Sequence, residues 1–317
     1  MGPKVSIVIP SYNYARFLKE RLDSITGQSF RNYEIIFLDD GSQDDSLAYF
    51  KRYAAGYPEI QFTTLVNSVN SGNPFSQWNK GVALAKGEYI WIAEADDYCT
   101  ADFLETHVKI LDENPNVGIV YCQSCHVNHK SERLGSIIWS VEWLGKQRWQ
   151  RNFINNGRDE ISNYLLFQNT IPNASAVLFR KDIFEKIGQA SSEFKLMGDW
   201  LTWVRMLCVS DVAFVSAENN FFRVHDSSVR SEFDTQRRLA YIRELYSFAK
   251  EHARILSPGS KTLRQLRDHY ARISLSKLRQ EGMTAVQLGK QYGLLPVIMR
   301  YDPFFLFRAV KLMLSRM

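Results

Sequence analysis

Short apolar runs alternate with longer amphipathic segments along the first hundred residues. The runs are rich in β-branched residues and predict strands, whereas apolar residues three or four positions apart predict the helices between them. The predicted strands are Lys4–Ile9, Glu34–Leu38, Gln61–Val66 and Glu88–Ala93, and the predicted helices are Ala15–Thr26, a segment ending near Tyr53, and Asn73–Ala85. Strands separated by helices of this length are typical of parallel βαβ units. The pattern predicts an α/β fold with a mostly parallel sheet flanked by helices.

The pattern is less regular after Asp102. Residues 126–158 are rich in Trp, Gly and Arg and show no sustained period, which predicts a long irregular excursion. Excursions of this length within a compact domain are commonly functional or mobile. The other elements predicted here are the helices Phe103–Glu113, Lys181–Ile187 and Asp199–Cys208 and the strands Val117–Cys122, Ala174–Phe179 and Val212–Phe222.

The character of the chain changes near residue 230. Long helical patterns follow, at about 235–253, 260–281, 285–292 and 303–316, which predicts a first domain over 1–229 and a helical C-terminal region over 230–317. The C-terminal region carries 17 Lys and Arg against 7 Asp and Glu, a net charge of +10, while the rest of the chain carries −5. Such a basic region predicts an anionic partner, either a phospholipid surface, a phosphorylated lipid carrier or nucleic acid. Nucleic acid is disfavoured, because no recognition motif accompanies the charge.

The end of the chain, GLLPVIMRYDPFFLFRAVKLMLSRM, mixes apolar clusters with basic residues. Two interpretations stay open: a basic amphipathic helix in a membrane interface, or a helix packed on the catalytic domain or a second subunit. No stretch approaches the roughly 18 apolar residues of a membrane span. The apolar run at the start ends at Pro10 without a cleavage site, so we interpret it as a strand and expect no signal peptide.

The four cysteines are Cys99, Cys122, Cys125 and Cys208. Cys122 and Cys125 have metal or redox spacing, but no second pair completes a zinc site. They also lie in an apolar segment that predicts a strand, where cysteine is commonly a small buried residue. Unpaired cysteines fit a reducing compartment. We therefore expect a cytoplasmic protein, associated with the inner face of the cell membrane if the basic tail binds lipid.

Polar clusters follow three of the predicted strands, at Pro10–Asn13, Asp39–Asp40 and Glu94–Asp97. Ligands of open parallel sheets bind beyond the carboxyl ends of the strands, so these clusters are expected to share one crevice. The sequence contains neither of the glycine-rich phosphate-binding motifs. Carboxylates repel phosphate unless a divalent cation lies between them, and oxygen ligands favour Mg²⁺ or Mn²⁺. The clusters therefore predict a metal-bridged nucleotide diphosphate.

Each cluster also has a purely structural interpretation. Asp39–Ser42 is compatible with a turn and a helix N-cap, and Glu94–Asp97 with a solvated strand end. The solvated strand end is the weaker interpretation for Glu94–Asp97, since three carboxylates within four residues repel one another unless a cation compensates them.

The segments VSIVIPSYN, YEIIFLDDGSQDDS and NKGVALAKGEYIWIAEADDY resemble the family 2 glycosyltransferases of the GT-A fold, of the bacterial surface-polysaccharide type. The resemblance runs from about residue 4 to about 228. It implies that Pro10, Ser11 and Tyr12 line the nucleobase pocket and that Asp40 hydrogen-bonds the base. Asp96 and Asp97 match the D-x-D element, which contacts the ribose and the metal.

The segment MGDWLTWVR is similar to the family's acidic motif, which implies that Asp199 is the catalytic base. A carboxylate within reach of an acceptor hydroxyl can take its proton during attack. Asp199 is also compatible with a cap on the helix that follows, and both roles can coexist. FRVHDSS resembles a further signature, in which Arg223 or His225 approaches the diphosphate or its metal.

Three positions depart from the family pattern. They are Glu94 in place of an Asp, Trp78 in place of an Arg, and Gly198 in place of a Glu. The resemblance implies a Mn²⁺- or Mg²⁺-dependent inverting enzyme that moves a sugar from a nucleotide-diphosphate donor to a saccharide or lipid-linked acceptor. The alternatives are a sugar-nucleotide pyrophosphorylase, whose glycine-rich loop after the first strand is missing, and an inactive nucleotide-sugar-binding module.

Overall fold

The computed structural model describes residues 2–137, 141–145, 147–225, 235–252, 261–280 and 294–307. The chain divides into two compact units, Met1–His225 and Asp226–Met317. The boundary expected near residue 230 lies outside the described residues.

The first unit begins with four parallel strands joined by helices, as the sequence pattern predicts. The elements are β1 (Val5–Ser11), α1 (Ala15–Thr26), β2 (Tyr33–Asp39), α2 (Ser46–Ala54), β3 (Gln61–Val66), α3 (Pro74–Leu84) and β4 (Tyr89–Ile92). The strands lie in the order β3-β2-β1-β4, and each pairs in parallel with its neighbour. All residues of β1, β2 and β4 are buried, because helices cover both faces of the sheet.

The rest of the sheet is mixed. The other strands and α-helices of this unit are β5 (Tyr98–Cys99), α4 (Phe103–Glu113), β6 (Val117–Val127), β7 (Arg133–Ser136), β8 (Phe153–Asn155), α5 (Gly157–Glu160), β9 (Val177–Arg180), α6 (Lys181–Lys186), α7 (Gly198–Leu207) and β10 (Asp211–Arg223). β9 runs antiparallel to both β4 and β6, and β10 runs parallel to β6. The predicted mostly parallel order therefore holds for the first four strands, and antiparallel pairs enter with β9.

The excursion expected over residues 126–158 is more ordered than the sequence indicated. β6 continues to Val127, β7 pairs with it, and β8 pairs with β10. β7 pairs with the strand just before it, whereas the partner of β8 lies far along the chain, so the local composition around β8 carries no sign of its ladder.

Helix α3 lies close against β1. A β-carbon at Gly81 would be 2.3 Å from Cγ1 of Val8, so a larger residue there would push the helix away from the sheet. This close packing brings the N-terminal turn of α3 to the carboxyl end of the parallel strands, where the polar clusters lie.

The second unit contains three described helices: α8 (Thr235–His252), α9 (Lys261–Gln280) and α10 (Leu294–Tyr301). The buried residues of this unit include Tyr246 in α8, Tyr270 in α9 and Phe305, which follows α10. The helix expected at 285–292 lies outside the described residues, and that at 303–316 is described only to residue 307. None of the described helices is both long and apolar enough to traverse a bilayer.

Candidate active site

The three predicted polar clusters meet at one edge of the sheet. Ser11 at the end of β1 pairs with Asp39 at the end of β2, and the amide of Ala93 after β4 donates to the carbonyl of Val8 at 2.8 Å. Asn13 has a φ of 58°, and its side chain accepts from the amide of Gln43 at 2.7 Å. The loops after β1 and β2 are therefore joined to each other.

The residues expected to line the base pocket differ in exposure. Pro10 and Ser11 are buried within β1, whereas 39% of Tyr12 is exposed. The Oγ atom of Ser11 is buried without a hydrogen-bond partner among the described residues. Tyr12 is thus an accessible side chain of this loop, whereas Pro10 and Ser11 are covered.

Asp40 is buried and holds the loop that precedes α3. Its carboxylate accepts hydrogen bonds from Asn67 Nδ2 at 2.5 Å, from Ser71 Oγ at 2.7 Å and from Gln77 Nε2 at 2.8 Å, and it also accepts from the amide of Ser71. Gly41 follows with a φ of 77°, a conformation that favours glycine. The expected contact between Asp40 and a nucleobase stays a prediction, and the structure adds a clear role in loop ordering.

The acidic loop after β4 contains two carboxyl groups with raised pKa values. Asp97 is 1% exposed, and burial together with the neighbouring Asp96 raises the pKa of its carboxyl to about 6. Burial, with Asp96 again contributing, raises the pKa of Glu94 to about 8. Removal from water and mutual repulsion both disfavour the charged forms, and a nearby cation would favour them.

Arg223 and His225 support this loop. The backbone amide of Arg223 donates to Asp97 Oδ1 at 2.9 Å, and its Nε donates to the carbonyl of Asp96 at 2.8 Å. The rest of its guanidinium bonds to Glu20, Ser131 and the carbonyl of Asn128, and the residue is 1% exposed. The N–H groups of Arg223 are thus engaged by protein acceptors, and its expected contact with a diphosphate stays a prediction.

His225 contacts the more accessible carboxylate of the loop. Its Nε2 lies 3.0 Å from Asp96 Oδ2, and its Nδ1 lies 3.5 Å from Nη2 of Arg16. Since a guanidinium can only donate, this pairing places the ring proton on Nε2, which then donates to Asp96. The structure thus joins His225 to a predicted metal ligand, and Arg16 is the exposed cation beside it.

Two departures from the family pattern contact each other. Nε1 of Trp78 donates to Oε1 of Glu94 at 3.1 Å. Trp78 also packs against Trp203 of α7, with ring centroids 5.8 Å apart. Glu94, whose side chain is longer than the Asp of the family pattern, is therefore held by Trp78 of α3. Trp78 stands where the family pattern has an Arg.

Asp199 lies in the first turn of α7 and is partly exposed. The N-cap residue of this helix is Met197, so the structure does not support Asp199 as its cap. Oδ2 of Asp199 accepts from Nδ2 of Asn169 at 3.2 Å. A carboxylate in the first turn of a helix interacts favourably with the helix dipole.

The third departure, Gly198, explains how α7 approaches α3. A β-carbon at this position would lie 2.5 Å from the ring of Phe75. Phe75 shares the first turns of α3 with Gln77, which contacts Asp40. Asp40, the acidic loop and the start of α7, which carries Asp199, are therefore linked through α3.

Among the described residues, no cluster of three or more His, Cys, Asp or Glu side chains could by itself hold a metal ion. Mg²⁺ and Mn²⁺ sites on nucleotides commonly use one or two carboxylates, with phosphate and water oxygens completing the shell. Asp96 and Asp97 match that smaller donor set. Their location in a loop with raised carboxyl pKa values fits a cation that arrives with its nucleotide.

Sequence reasoning missed three residues of the site, Asn169, Asn173 and Ser175. Asn173 donates to Asp97 at 3.2 Å, and the hydroxyl of Ser175 accepts from the amide of Glu94 at 3.1 Å. The only available signal was the set of polar residues in the segment NTIPNAS, next to an apolar strand.

The first part of the chain matches a family model. Residues 6–188, more than half of the chain, match the model described as glycosyl transferase family 2. The chain belongs to this family. It is therefore a family 2 glycosyltransferase, and the pyrophosphorylase interpretation is wrong.

Curated relatives agree with this assignment. The chain is 30% identical to an uncharacterised glycosyltransferase of Rickettsia typhi over 231 residues, which cover 71% of this chain and 65% of the relative. It is 38% identical over 113 residues to a poly(ribitol-phosphate) beta-glucosyltransferase of Bacillus spizizenii, covering 35% of this chain and 18% of the relative. The matches thus span less than two thirds of these relatives.

Solved structures share the fold. The family 2 glycosyltransferase resembles S. aureus TarS in complex with UDP, with a TM-score of 0.70 at 14% identity over 97% of this chain and 88% of that chain. It also resembles a mannosyltransferase of Pyrobaculum calidifontis in complex with GDP-Man and Mn²⁺, with a TM-score of 0.60 at 16% identity over 98% of this chain and 86% of that chain. The expected GT-A fold is confirmed.

Proposed function

We propose that the enzyme is a metal-dependent inverting glycosyltransferase that uses a nucleotide-diphosphate sugar. One observation carries the proposal: Asp97, after β4, and Asp199, in the first turn of α7, are joined through hydrogen bonds to Asn173 and Asn169 of one short segment, in the frame of a family 2 enzyme. Neighbours of the same fold in complex with UDP and with GDP-Man and Mn²⁺ support this class of donor.

Different side chains serve the donor and the acceptor. Tyr12, which is exposed, presents its ring to the nucleobase, and Pro10 and Ser11 contribute the neighbouring end of β1 to the pocket. Asp40 shapes the same pocket through the loop that it orders and is the candidate partner for the base. Asp199 accepts the proton of the acceptor hydroxyl as it attacks the anomeric carbon from the face opposite the leaving nucleotide. A single displacement of this kind inverts the anomeric configuration.

Asp96 and Asp97 would hold the Mn²⁺ or Mg²⁺ ion, which supplies positive charge for the departing diphosphate. His225 orients Asp96, and the amide of Arg223 orients Asp97. Arg16 is the accessible cation next to this pair, and we assign it the diphosphate contact first expected of Arg223.

We propose that the acceptor belongs to a cell-surface polysaccharide or a lipid-linked precursor, as the name of the Bacillus relative suggests by analogy. Met299, Phe304, Leu306 and Phe307 are exposed apolar residues of the second unit. In the sequence they lie beside Arg300, Arg308, Lys311 and Arg316. Apolar and basic residues together favour an anionic membrane surface, such as the inner face of the cell membrane.

A panel of nucleotide sugars tests the donor class. We expect one member, in the presence of Mn²⁺, to raise the melting temperature by several degrees, because a ligand that binds only the folded state stabilises it. The same member without Mn²⁺ should have little effect. A flat panel, in which neither UDP- nor GDP-sugars shift the melting temperature, would count against the proposal.

The substitution Asp199→Asn tests the catalytic role. The variant should bind the nucleotide sugar with unchanged affinity and lose transfer by a factor of about 100 or more, since general base catalysis contributes about 10²–10⁴-fold. Asp182→Asn is the matched control, because Asp182 also lies in the first turn of a helix, α6. Normal transfer by the Asp199 variant would remove Asp199 from the mechanism.

A further inference from the structure

One segment contacts both halves of the site. Residues 169–175, which we call the strap, run from the cleft side of α7 to the start of β9. Asn169 donates to Oδ2 of Asp199, and Asn173 donates to Oδ2 of Asp97, each at 3.2 Å. Ser175 accepts from the amide of Glu94 at 3.1 Å. The strap therefore joins the proposed base to the proposed metal-binding loop.

The two asparagines are oriented in the same way. The side-chain oxygen of Asn169 accepts from the amide of Ile171 at 3.2 Å, and that of Asn173 accepts from the amide of Ser175 at 2.8 Å. Each oxygen is thus engaged by the backbone two residues further on, as in an Asx turn. The turn leaves each amide NH₂ group to point at a carboxylate.

Both ends of the strap are anchored. Just before it, the carbonyl of Leu165 accepts from Nε1 of Trp200 in α7 at 2.6 Å. At its other end, the carbonyl of Ser175 accepts from Nε1 of Trp91 in β4 at 2.8 Å. Asn173 is 4% exposed and Ser175 is fully buried. The segment cannot shift relative to α7 or β4 without breaking buried hydrogen bonds.

We propose that the strap sets the separation between the base and the donor-binding carboxylates, with Asn169 and Asn173 as positioning residues. This inference rests on the proposed function, because it needs Asp199 as the base and Asp97 as part of the metal site. Asp97 follows β4 and Asp199 lies in α7, and no other described segment donates side-chain amides to both. Displacement at one carbon requires the hydroxyl, its base and the leaving group to be held in line, and small errors in that geometry cost large factors in rate.

The substitutions Asn169→Ser and Asn173→Ser test the strap. Serine can accept from the same backbone amide, so the turn is retained, but its side chain is too short to reach the carboxylate. Asn163→Ser is the matched control, since the exposed Asn163 amide donates only to the carbonyl of Asp159 in the neighbouring turn. The measurements are melting temperature, calorimetric binding of UDP and of GDP with Mn²⁺, and kcat with the nucleotide sugar selected by the panel.

We expect Asn169→Ser to change mainly kcat and Asn173→Ser to change mainly nucleotide binding. Asn169→Ser should lower kcat by about tenfold or more while nucleotide affinity changes by less than about twofold, because hydrogen bonds to charged groups are the stronger class. Asn173→Ser should weaken Mn²⁺-dependent nucleotide binding by about tenfold. Asn163→Ser should change neither quantity.

The outcomes separate the two proposals. If Asp199→Asn is inactive but Asn169→Ser has the kcat of the unmodified enzyme, the strap is rejected and the proposed function stands. If both strap variants lower only the melting temperature, their role is structural and the inference is wrong. If Asp199→Asn transfers sugar normally, the proposed function fails, and the inference fails with it.

Discussion

At the residue scale, the chemistry of the site depends on carboxylates whose surroundings are not local in sequence. Asp97 is contacted by Asn173 and Arg223, which lie 76 and 126 residues further along the chain. The motif around Asp96 and Asp97 identified the residues, but it carried no information on burial. Burial of Asp97 follows from the contacts that β10 and the segment before β9 make with the loop.

Asp97→Asn should weaken the binding of the nucleoside diphosphate in Mn²⁺ by about tenfold or more and leave metal-free binding unchanged. The reason is that the amide is a poorer ligand for a hard cation than the carboxylate. Calorimetry with UDP and GDP, with and without Mn²⁺, measures both quantities. Asp112→Asn is the control, because Asp112 pairs with Lys4 and Tyr89 away from the cleft. Unchanged binding in Mn²⁺ would exclude Asp97 from the metal site.

His107 gives a test of stability that is independent of function. It is fully buried on α4, where burial lowers the pKa of its imidazole to about 4, and its Nε2 has no hydrogen-bond partner among the described residues. As the pH falls, the imidazole therefore becomes protonated at a higher pH in the unfolded chain than in the folded protein. The contribution of His107 to the free energy of unfolding is fully present above about pH 6.5. It decreases as the pH falls towards 4, and the loss reaches up to about 3 kcal/mol.

Urea unfolding at pH 7, 6 and 5 measures this effect. His107→Gln, which has no titrating group, should lose less of its unfolding free energy between pH 7 and pH 5 than the unmodified protein does. Parallel pH profiles for the two proteins would show that His107 does not contribute.

At the scale of elements, local patterns predicted well wherever one helix or strand buries one face. α1 and α4 begin and end at the predicted residues, as does β3. The pattern failed for the short strands β7 and β8, which pair with the preceding β6 and with the distant β10. Such strands are stabilised by their ladders rather than by their own composition.

The contact between α3 and α7 belongs to this scale as well. Gly198→Ala should lower the free energy of unfolding by about 1–3 kcal/mol, because the added methyl group overlaps the ring of Phe75. The loss should be smaller in a Phe75→Leu background, where the smaller side chain leaves room. A double-mutant cycle from urea unfolding measures the coupling. Equal losses in both backgrounds would show that Phe75 does not determine the cost.

At the scale of the whole molecule, charge and exposed apolar groups are unevenly distributed. The segment 230–317 carries the basic excess, and 65% of Phe304 and 74% of Phe307 are exposed in the unit that contains it. The full chain should bind vesicles containing phosphatidylglycerol and bind phosphatidylcholine vesicles weakly. Replacing both phenylalanines by serine should weaken binding by about tenfold or more, since each buried phenyl group contributes about 1.5–3 kcal/mol.

Leu134→Ser is the control for this experiment, because Leu134 is 60% exposed in the other unit. Flotation of the full chain with each vesicle type gives the bound fraction. If the double variant floats as well as the unmodified chain, these residues do not contact lipid. Sedimentation at the same concentration then shows whether they bind a second copy instead.

The sequence by itself determined the βαβ order of the first four strands, the family and the carboxylates at the strand ends. Periodicity and short motifs are local properties, so they can be recognised without contacts. Only the tertiary structure decided which residues hold those carboxylates: Asn169 and Asn173 on the strap, Trp78 beside Glu94, and the inward-facing Arg223. The physical reason is that hydrogen-bond partners and burial come from segments distant in the chain, and folding alone brings these segments together.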